Sequence, residues 1–250
     1  MPISRKLVYK FQPKDKNAPV FLSKKITLPN TFSLRPTMAP ILNQENLGDC
    51  VSNAYALTIS TMTTGKGKTL INMSRLMNYA LARCNTGGSV TNDSGIYVSD
   101  AANTIAQYGI CPETIWPYNS SYFATFPTLY AFSNSKLFTN FTCTNVLPDL
   151  SHLQTCLVTN NVPIIFGFMV YSSFMSNSVA ANGIVPMPNT KTETLDGGHC
   201  TCIVGYDNTK QWFICANSWG TSWGDKGYFY MPYAYITNPN LASDFCYLDF

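Results

Sequence analysis

The most distinctive stretch of this chain reads Asn217-Ser218-Trp219-Gly220-Thr221-Ser222-Trp223-Gly224-Asp225-Lys226-Gly227-Tyr228. It joins two short runs of aromatic and β-branched residues, 211–217 and 227–235, and these runs predict strands. Two Trp-Gly pairs and a Gly-Tyr pair at these spacings are rarely obtained by chance. This stretch therefore narrows the choice of fold more than any other part of the sequence.

Apolar residues recur at helical spacing in the first half of the chain. The pattern Val51, Ala54, Tyr55, Ile59 and Met62 predicts a helix that ends at Gly65 and Gly67. Two further helices are predicted at about 74–84 and 98–108, and a long loop at 118–142. The second half predicts a short helix at 149–160 and strands at 163–171, 199–206, 211–217 and 227–235. Helices first and strands second indicate an α+β protein with two lobes and a cleft between them.

Charge is distributed unevenly along the 250 residues, which carry 16 Lys and Arg against 13 Asp and Glu, a net charge of +3. Residues 1–27 hold seven of the basic side chains and one acidic one. This N-terminal tail therefore has a balance of +6, and the rest of the chain has nine basic and twelve acidic side chains, a balance of −3. A basic patch for nucleic acid over the whole protein is excluded, so no nucleic-acid partner is expected.

The overall composition indicates a globular protein. Apolar residues make up 46% of the chain and charged residues 12%, which excludes the disordered classes. No run reaches the roughly 18 apolar residues of a membrane span, and the N-terminus lacks the apolar run of a secretory signal. We therefore expect a monomer without a membrane partner, either intracellular (cytoplasmic) or packaged or exported without a signal peptide. Nine cysteines leave at least one unpaired, and no cofactor is implied.

General bases near neutral pH are scarce, because the chain has two histidines. His152 lies in a polar predicted helix and is interpreted as a solvated surface side chain. His199 follows Gly197-Gly198 at the start of a strand, where glycines let a ligand approach the backbone. Cys50 begins the first strong helix, and unpaired amides at a helix start favour a thiolate. Next to His199, such a thiol would be nucleophilic at neutral pH.

A zinc site is the alternative interpretation of His199 with Cys200 and Cys202. Residues 199 and 201 of a strand face one side, while 200 and 202 face the other. These three side chains cannot converge on one ion without distortion, so no metal site is expected.

Three segments together resemble the papain-like cysteine peptidases. They are Gln44-Glu45-Asn46-Leu47-Gly48-Asp49-Cys50, Gly198-His199 with Val204-Gly205-Tyr206, and the stretch 217–228. The resemblance covers 28–250 as one peptidase domain. It implies the two-lobe α+β fold, with a helical lobe at about 36–142, an antiparallel β-barrel-like lobe at about 143–250, and the active site in the cleft. It also implies hydrolysis of peptide or protein substrates.

The resemblance also implies a role for five residues. Cys50 would be the nucleophile, and His199 would accept its proton and later protonate the leaving amine. Asn217 would orient the imidazole, and Trp219 would shield that hydrogen bond from water. The side chain of Gln44 and the backbone N–H of Cys50 would form the oxyanion hole.

Five other positions match the family's substrate-binding residues. Gly95 would pair with the substrate backbone, because a side chain there would push the peptide away. The main specificity pocket would be lined near Tyr97, Gly167, Gly198 and Cys200. Its two glycines predict a roomy, apolar pocket for a bulky hydrophobic side chain at the residue before the one that is cleaved.

Three residues depart from the family pattern. Leu47 replaces the cysteine that usually forms a disulfide three residues before the nucleophile, and Val51 replaces the usual aromatic after it. Asp49 stands where a small residue is common; its carboxylate could raise the pKa of the thiol or could cap the helix. These departures indicate a divergent branch that has a short prosegment and no signal peptide.

The tail, residues 1–27, is too short for the family's usual folded prodomain. Extended chain covers ~3.3 Å per residue, so a segment of this length can still cross a cleft. Because the tail is basic and the body acidic, we predict that it docks near the active site and limits access, as in a zymogen. The alternative is a solvated or targeting tail.

Two other functions compete with peptide hydrolysis. One is a non-catalytic papain-like binding module, and the other is a thiol acyltransferase or deamidase on a related fold. All four catalytic-type residues are present, which favours the peptidase. Whether it would act as an endopeptidase or an exopeptidase stays open.

Overall fold

The computed structural model describes residues 5–9, 11–12, 18–65, 69–135 and 141–249. The helices are α1 (Cys50–Gly65), α2 (Arg75–Asn85), α3 (Val98–Tyr108), α4 (Leu129–Ser133), α5 (Leu150–Asn160), α6 (Asn177–Asn182) and α7 (Tyr233–Ile236). The strands are β1 (Thr31–Ser33), β2 (Thr142–Asn145), β3 (Ile164–Tyr171), β4 (Leu195–Asp207), β5 (Trp212–Ala216), β6 (Tyr228–Pro232) and β7 (Ala242–Asp249). Short 3-10 turns occupy Arg35–Thr37 and Ser120–Tyr122.

The strands form one antiparallel sheet in the order β2-β7-β3-β4-β5-β6, and β1 pairs with β4. Helices α1, α2 and α3 pack on one another, and α1 also contacts β3 and β4. The mixed helical and antiparallel-sheet architecture confirms the predicted fold class. The predicted division into a tail and two lobes, at 27 and 142, stays a prediction.

Local sequence accounts for the ends of the helices next to the site. The Ser74 hydroxyl accepts the N–H of Met77 and so caps α2. Gly109 ends α3 with a φ of 78°, a conformation that costs glycine little. α1 is buried on nearly all sides because it lies between the other helices and β4. Its first residue is therefore held at the junction of helices and sheet.

The sequence prediction missed three strands, β1, β2 and β7. β7 has the sequence Ala-Ser-Asp-Phe-Cys-Tyr-Leu-Asp, whose polar positions obscure the pattern, yet it pairs with β2 on one side and β3 on the other. Pairing between distant segments decides such strands, and no local pattern reports it. The predicted loop at 118–142 also contains α4, and the strand predicted to reach 235 ends at Pro232.

All nine cysteines are free thiols. None of the helices in the described part of the chain has both the length and the apolar character that a membrane crossing requires.

Candidate active site

Cys50, the predicted nucleophile, is the first residue of α1 and is 1% exposed. The backbone N–H of Cys200, the residue after His199, donates a hydrogen bond to its thiol. The sulfur therefore lies against the part of β4 that carries the imidazole. Burial raises the pKa of Cys50 to about 12, although the N–H groups of Cys200 and Val51 oppose the rise. Donors at the helix start thus favour the thiolate, as the sequence indicates, but burial outweighs them in this state.

His199 and Asn217 meet as predicted, with 2.8 Å between Nε2 of the imidazole and Oδ1 of the amide. The same Oδ1 accepts the backbone N–H of Ser218 at 2.8 Å, which fixes the orientation of the amide. Because Oδ1 can only accept, Nε2 carries the imidazole proton, and Nδ1 is the basic nitrogen. Nδ1 is buried and has no hydrogen-bond partner among the described residues.

The environment of His199 disfavours its charged form. Burial lowers the pKa of His199 to about 4; the hydrogen bond that the imidazole donates to Asn217 opposes this shift, and the positive charge of Arg5 adds to it. Trp219 lies over the ring, with 4.9 Å between ring centroids and 29° between planes, and is itself 2% exposed. The indole therefore covers the His199–Asn217 pair, in the position that the resemblance implies.

Gln44 is completely buried and is connected to the loop that follows β5. Its Oε1 accepts the Ser218 hydroxyl at 2.6 Å, and its Nε2 donates to the carbonyl of Leu47 at 2.8 Å. Its backbone N–H donates to the carbonyl of Ser218 at 2.8 Å. An amide nitrogen has two hydrogens, so Nε2 keeps a second N–H beyond the one given to Leu47.

A polar cluster that the sequence pattern did not predict contacts the backbone of Gln44. Tyr118 donates to the carbonyl of Gln44 at 2.8 Å and to the Asp49 carboxylate at 3.2 Å. The Arg75 guanidinium lies 3.5 Å from the centre of the Tyr118 ring and forms a 2.7 Å ion pair with Glu113. Burial raises the pKa of Asp49 to about 7, opposed by Arg75 and Tyr118. The charge of Asp49 in turn raises the pKa of Cys50, which answers the question that the sequence leaves open.

Replacing Asp49 with asparagine is therefore expected to lower the pKa of the Cys50 thiol. Asp49 is ionised chiefly above its pKa of about 7, so alkylation of Cys50 should speed up above neutral pH and change little below it. The rate of iodoacetamide addition at Cys50, followed by mass spectrometry across this range in protein lacking residues 1–12, measures the shift. Asp207→Asn, at the opposite end of β4 from His199, is the matched control. An Asp49→Asn profile that coincides with the control would show that the carboxylate does not act on the thiol.

Described residues of the N-terminal tail run across this site. The Arg5 guanidinium donates to Asn43 Oδ1 at 3.1 Å, to the Glu45 carbonyl at 2.9 Å and to the Trp219 carbonyl at 3.3 Å. Lys6 forms a 2.8 Å ion pair with Asp93. These contacts bring basic tail residues to acceptors of the body, which is the arrangement that the predicted docking requires. Of the other basic tail residues, Lys10, Lys14 and Lys16 lie outside the described residues, and Lys24 and Lys25 are exposed.

Three of the predicted substrate-binding glycines face the tail. A Cβ added to Gly95 would lie 2.7 Å from the carbonyl oxygen of Val8, and a Cβ on Gly167 or Gly198 would overlap Tyr9. Tyr9 also donates its N–H to the carbonyl of Gly198 at 3.1 Å. The tail therefore occupies the surface on which the sequence analysis places the substrate.

The other two predicted pocket residues lie on different sides of this surface. Cys200 is buried near both Cys50 and Tyr9. Tyr97 is 37% exposed and lines a shallow groove beside Val8 and Gly95. Within the described part of the chain, no three His, Cys, Asp or Glu side chains are grouped so that they could hold a metal ion.

Sequence reasoning missed the residues that meet the side chain of Tyr9. Its phenol donates to the carboxylate of Asp244 and lies 3.1 Å from the Ser243 hydroxyl oxygen. Both residues belong to β7, the strand that the sequence pattern did not reveal. No local motif could have assigned them to the pocket.

Comparison with known proteins agrees with this geometry. The model of the papain family of cysteine proteases matches residues 28–247. An uncharacterised peptidase C1-like protein of Acanthamoeba polyphaga mimivirus is 35% identical, over 96% of this chain and 77% of its own length. Cysteine proteinase 1 of Entamoeba histolytica is 24% identical, over 78% of this chain and 60% of its own length.

A solved structure gives the same result. Xylellain, a cysteine protease from Xylella fastidiosa, superposes with a TM-score of 0.89 at 30% identity, over 98% of this chain and 97% of that one. The family match spans nearly the whole chain beyond the tail, and the mimivirus relative extends it over most of the tail. The chain belongs to the papain family of cysteine proteases.

Proposed function

We propose that this cysteine peptidase cleaves peptide bonds with Cys50 as nucleophile, His199 as base and acid, Asn217 as the residue that orients the imidazole, and Gln44 in the oxyanion hole. The observation that carries the proposal is the acceptor Oδ1 of Asn217, which the N–H of Ser218 holds in place. It keeps the proton of His199 on Nε2 and leaves Nδ1, which has no hydrogen-bond partner among the described residues, to act as the base.

The steps follow from this arrangement. The thiol proton of Cys50 moves to Nδ1 of His199 as the sulfur attacks the substrate carbonyl, and the carbonyl oxygen becomes negative. The second N–H of Gln44 Nε2 and the backbone N–H of Cys50 would stabilise that oxygen. His199 then gives its proton to the leaving amine, and the C–N bond breaks. Water hydrolyses the resulting thioester by the same base and regenerates the thiol.

Docking of the tail would hold the enzyme in a resting state. With the tail across the site, burial leaves Cys50 with a pKa of about 12 and His199 with a pKa of about 4, so the uncharged pair is stable between those values. Removing the tail would admit water to both groups and would remove the charge of Arg5. Hydration lowers the pKa of a thiol and raises the pKa of an imidazole, so both changes favour the ion pair.

An epoxide inhibitor of cysteine proteases tests the proposal directly. In protein lacking residues 1–12, we expect one covalent adduct, at Cys50 among the nine thiols, and complete loss of hydrolysis of a dipeptidyl fluorogenic substrate. Reactivity at one thiol is expected because Cys50 begins α1 and accepts the backbone N–H of Cys200, and such donors favour the thiolate once the tail is removed. Peptide mapping by mass spectrometry locates the adduct.

Other outcomes would overturn the proposal in different ways. No hydrolysis and no adduct at Cys50 would support a non-catalytic binding module. An adduct at Cys50 together with acyl transfer to an added amine, but no hydrolysis, would support a thiol acyltransferase. The Cys84→Ala variant, which changes a partly exposed thiol at the end of α2, serves as the control for labelling elsewhere.

A further inference from the structure

The side chain of Tyr9 fills a narrow slot beside the candidate catalytic residues. Tyr9 is 3% exposed, and the slot is bounded by Gly167 of β3 and Gly198 of β4. A Cβ at Gly167 would overlap the tyrosine ring, and a Cβ at Gly198 would overlap the Tyr9 carbonyl oxygen and lie 3.0 Å from the edge of the ring. The missing side chains therefore leave a space that a planar ring can occupy against the backbone.

Polar atoms close the far end of this slot. The Tyr9 phenol lies 3.1 Å from the Ser243 hydroxyl oxygen and donates to the Asp244 carboxylate, and the Ser243 hydroxyl donates to the same carboxylate at 3.0 Å. Burial and then the charge of Asp244 raise the pKa of the Tyr9 phenol. The phenol therefore stays protonated and acts as the donor.

The backbone of β7 is specially arranged at this point. Ile165 pairs with Cys246 while Gly167 pairs with Ser243, so β7 has one extra residue opposite β3. Asp244 within this bulge has a φ of 58°, in the left-handed region that aspartate tolerates better than most residues. The bulge places two oxygen-bearing side chains at the end of the slot.

We propose that this slot selects a tyrosine side chain of the substrate, with Ser243 and Asp244 as the specificity-determining residues that bind its hydroxyl. The inference rests on the peptidase function proposed above, and it treats Tyr9 as an internal mimic of the substrate side chain. It replaces the bulky hydrophobic preference predicted from the two glycines alone.

The slot distinguishes tyrosine from other side chains by its polar end. A phenylalanine or leucine would bring no donor to the Asp244 carboxylate and so would lack the charge-assisted hydrogen bond that the phenol makes. An arginine would also bring donors to this carboxylate, so it is the competitor that the test below includes. The ring of tyrosine fits the walls, and its single donor fits the end.

A matched series of fluorogenic dipeptides tests the proposal on protein lacking residues 1–12. The series places Tyr, Phe, Leu or Arg at the residue before the one that is cleaved, and kcat/KM is measured for each. We expect Tyr to exceed Phe by about 10- to 100-fold, the range for a hydrogen bond to a charged group. Equal rates for Phe and Tyr, or a higher rate for Arg, would overturn the proposal. Cleavage of none of the four would instead count against the peptidase function.

A variant of Asp244 completes the test. Asp244→Gly removes the carboxylate and tolerates the positive φ, so the preference for Tyr over Phe should fall to about threefold or less, and a preference that stays at its full value would overturn the proposal. Asp207→Gly, at the end of β4, should keep the full preference.

A binding experiment tests the slot without catalysis. Fluorescence anisotropy measures the affinity of the same peptides for Cys50→Ala protein lacking residues 1–12. Tighter binding of Tyr than Phe there supports the proposal even in a protein that cannot turn over. Equal binding overturns it.

Discussion

Replacing Cys50 with alanine is expected to reduce kcat for peptide hydrolysis by about 10⁶, the loss typical of a removed nucleophile. No other thiol is expected to substitute, because the proposed mechanism uses the sulfur at the start of α1, where the donors of the helix start and of Cys200 meet it. The measurement is kcat/KM on a fluorogenic dipeptide with protein lacking residues 1–12. Binding of the peptide should survive the substitution, since the pocket glycines are untouched.

The control for this variant is Cys84→Ala, which makes the same substitution at the end of α2 and should keep full activity. Melting curves of both variants check the fold, because Cys50 is buried and its removal leaves a small cavity. Activity of Cys50→Ala within about 10-fold of the parent, with a normal melting curve, would reject Cys50 as the nucleophile.

Deleting residues 1–12 is expected to raise both kcat/KM and the rate of Cys50 alkylation near neutral pH by roughly 100-fold. A tethered segment acts at an effective concentration in the mM range, so a tail that binds with a dissociation constant of ~10 µM keeps about 99% of sites closed. The deletion stops short of residue 27 because Phe21 packs on Tyr247 at 5.9 Å and pairs with Asn145. Removing Phe21 would disturb the core as well as the site.

Release of the tail can also be tested with a protein variant of unchanged chain length. Arg5→Ala with Tyr9→Gly removes the guanidinium contacts and the slot contact, and it should reproduce most of the activation. A synthetic peptide of residues 1–12 added to the deletion protein should restore inhibition, and the same peptide with Tyr9→Phe should inhibit less. Unchanged hydrolysis and alkylation after the deletion would show that the tail does not restrain the enzyme.

The helices near the site illustrate what local sequence can predict. Apolar spacing from Val51 to Met62 predicted α1, and the helix predicted at about 98–108 corresponds to α3, which ends at Gly109. Both features depend on residues that are neighbours along the chain, so pattern and structure agree. The bulge at Asp244 is the opposite case, since it arises from the pairing of β7 with β3 across distant segments.

The sequence by itself determined the family and the set of candidate catalytic residues. Three motifs identify the family, and they lie around Cys50, around His199 and from Asn217 onward. Each motif contains a reactive or orienting side chain together with neighbouring glycines or tryptophans. Such short-range requirements are written locally, and so they can be recognised without coordinates. The uneven charge, +6 in the tail and −3 elsewhere, was the basis for predicting that the tail docks near the active site.

Only the tertiary structure decided the protonation state of the Cys50 thiol and the shape of the specificity slot. Burial outweighs the donors at the helix start and leaves Cys50 a neutral thiol, and burial is a property of the folded whole. The slot joins Tyr9 of the tail, glycines of two strands and the polar pair of β7, and Tyr9 and Asp244 are 235 residues apart along the chain. Packing between distant segments brings these groups together, and the sequence pattern of one segment does not predict such packing.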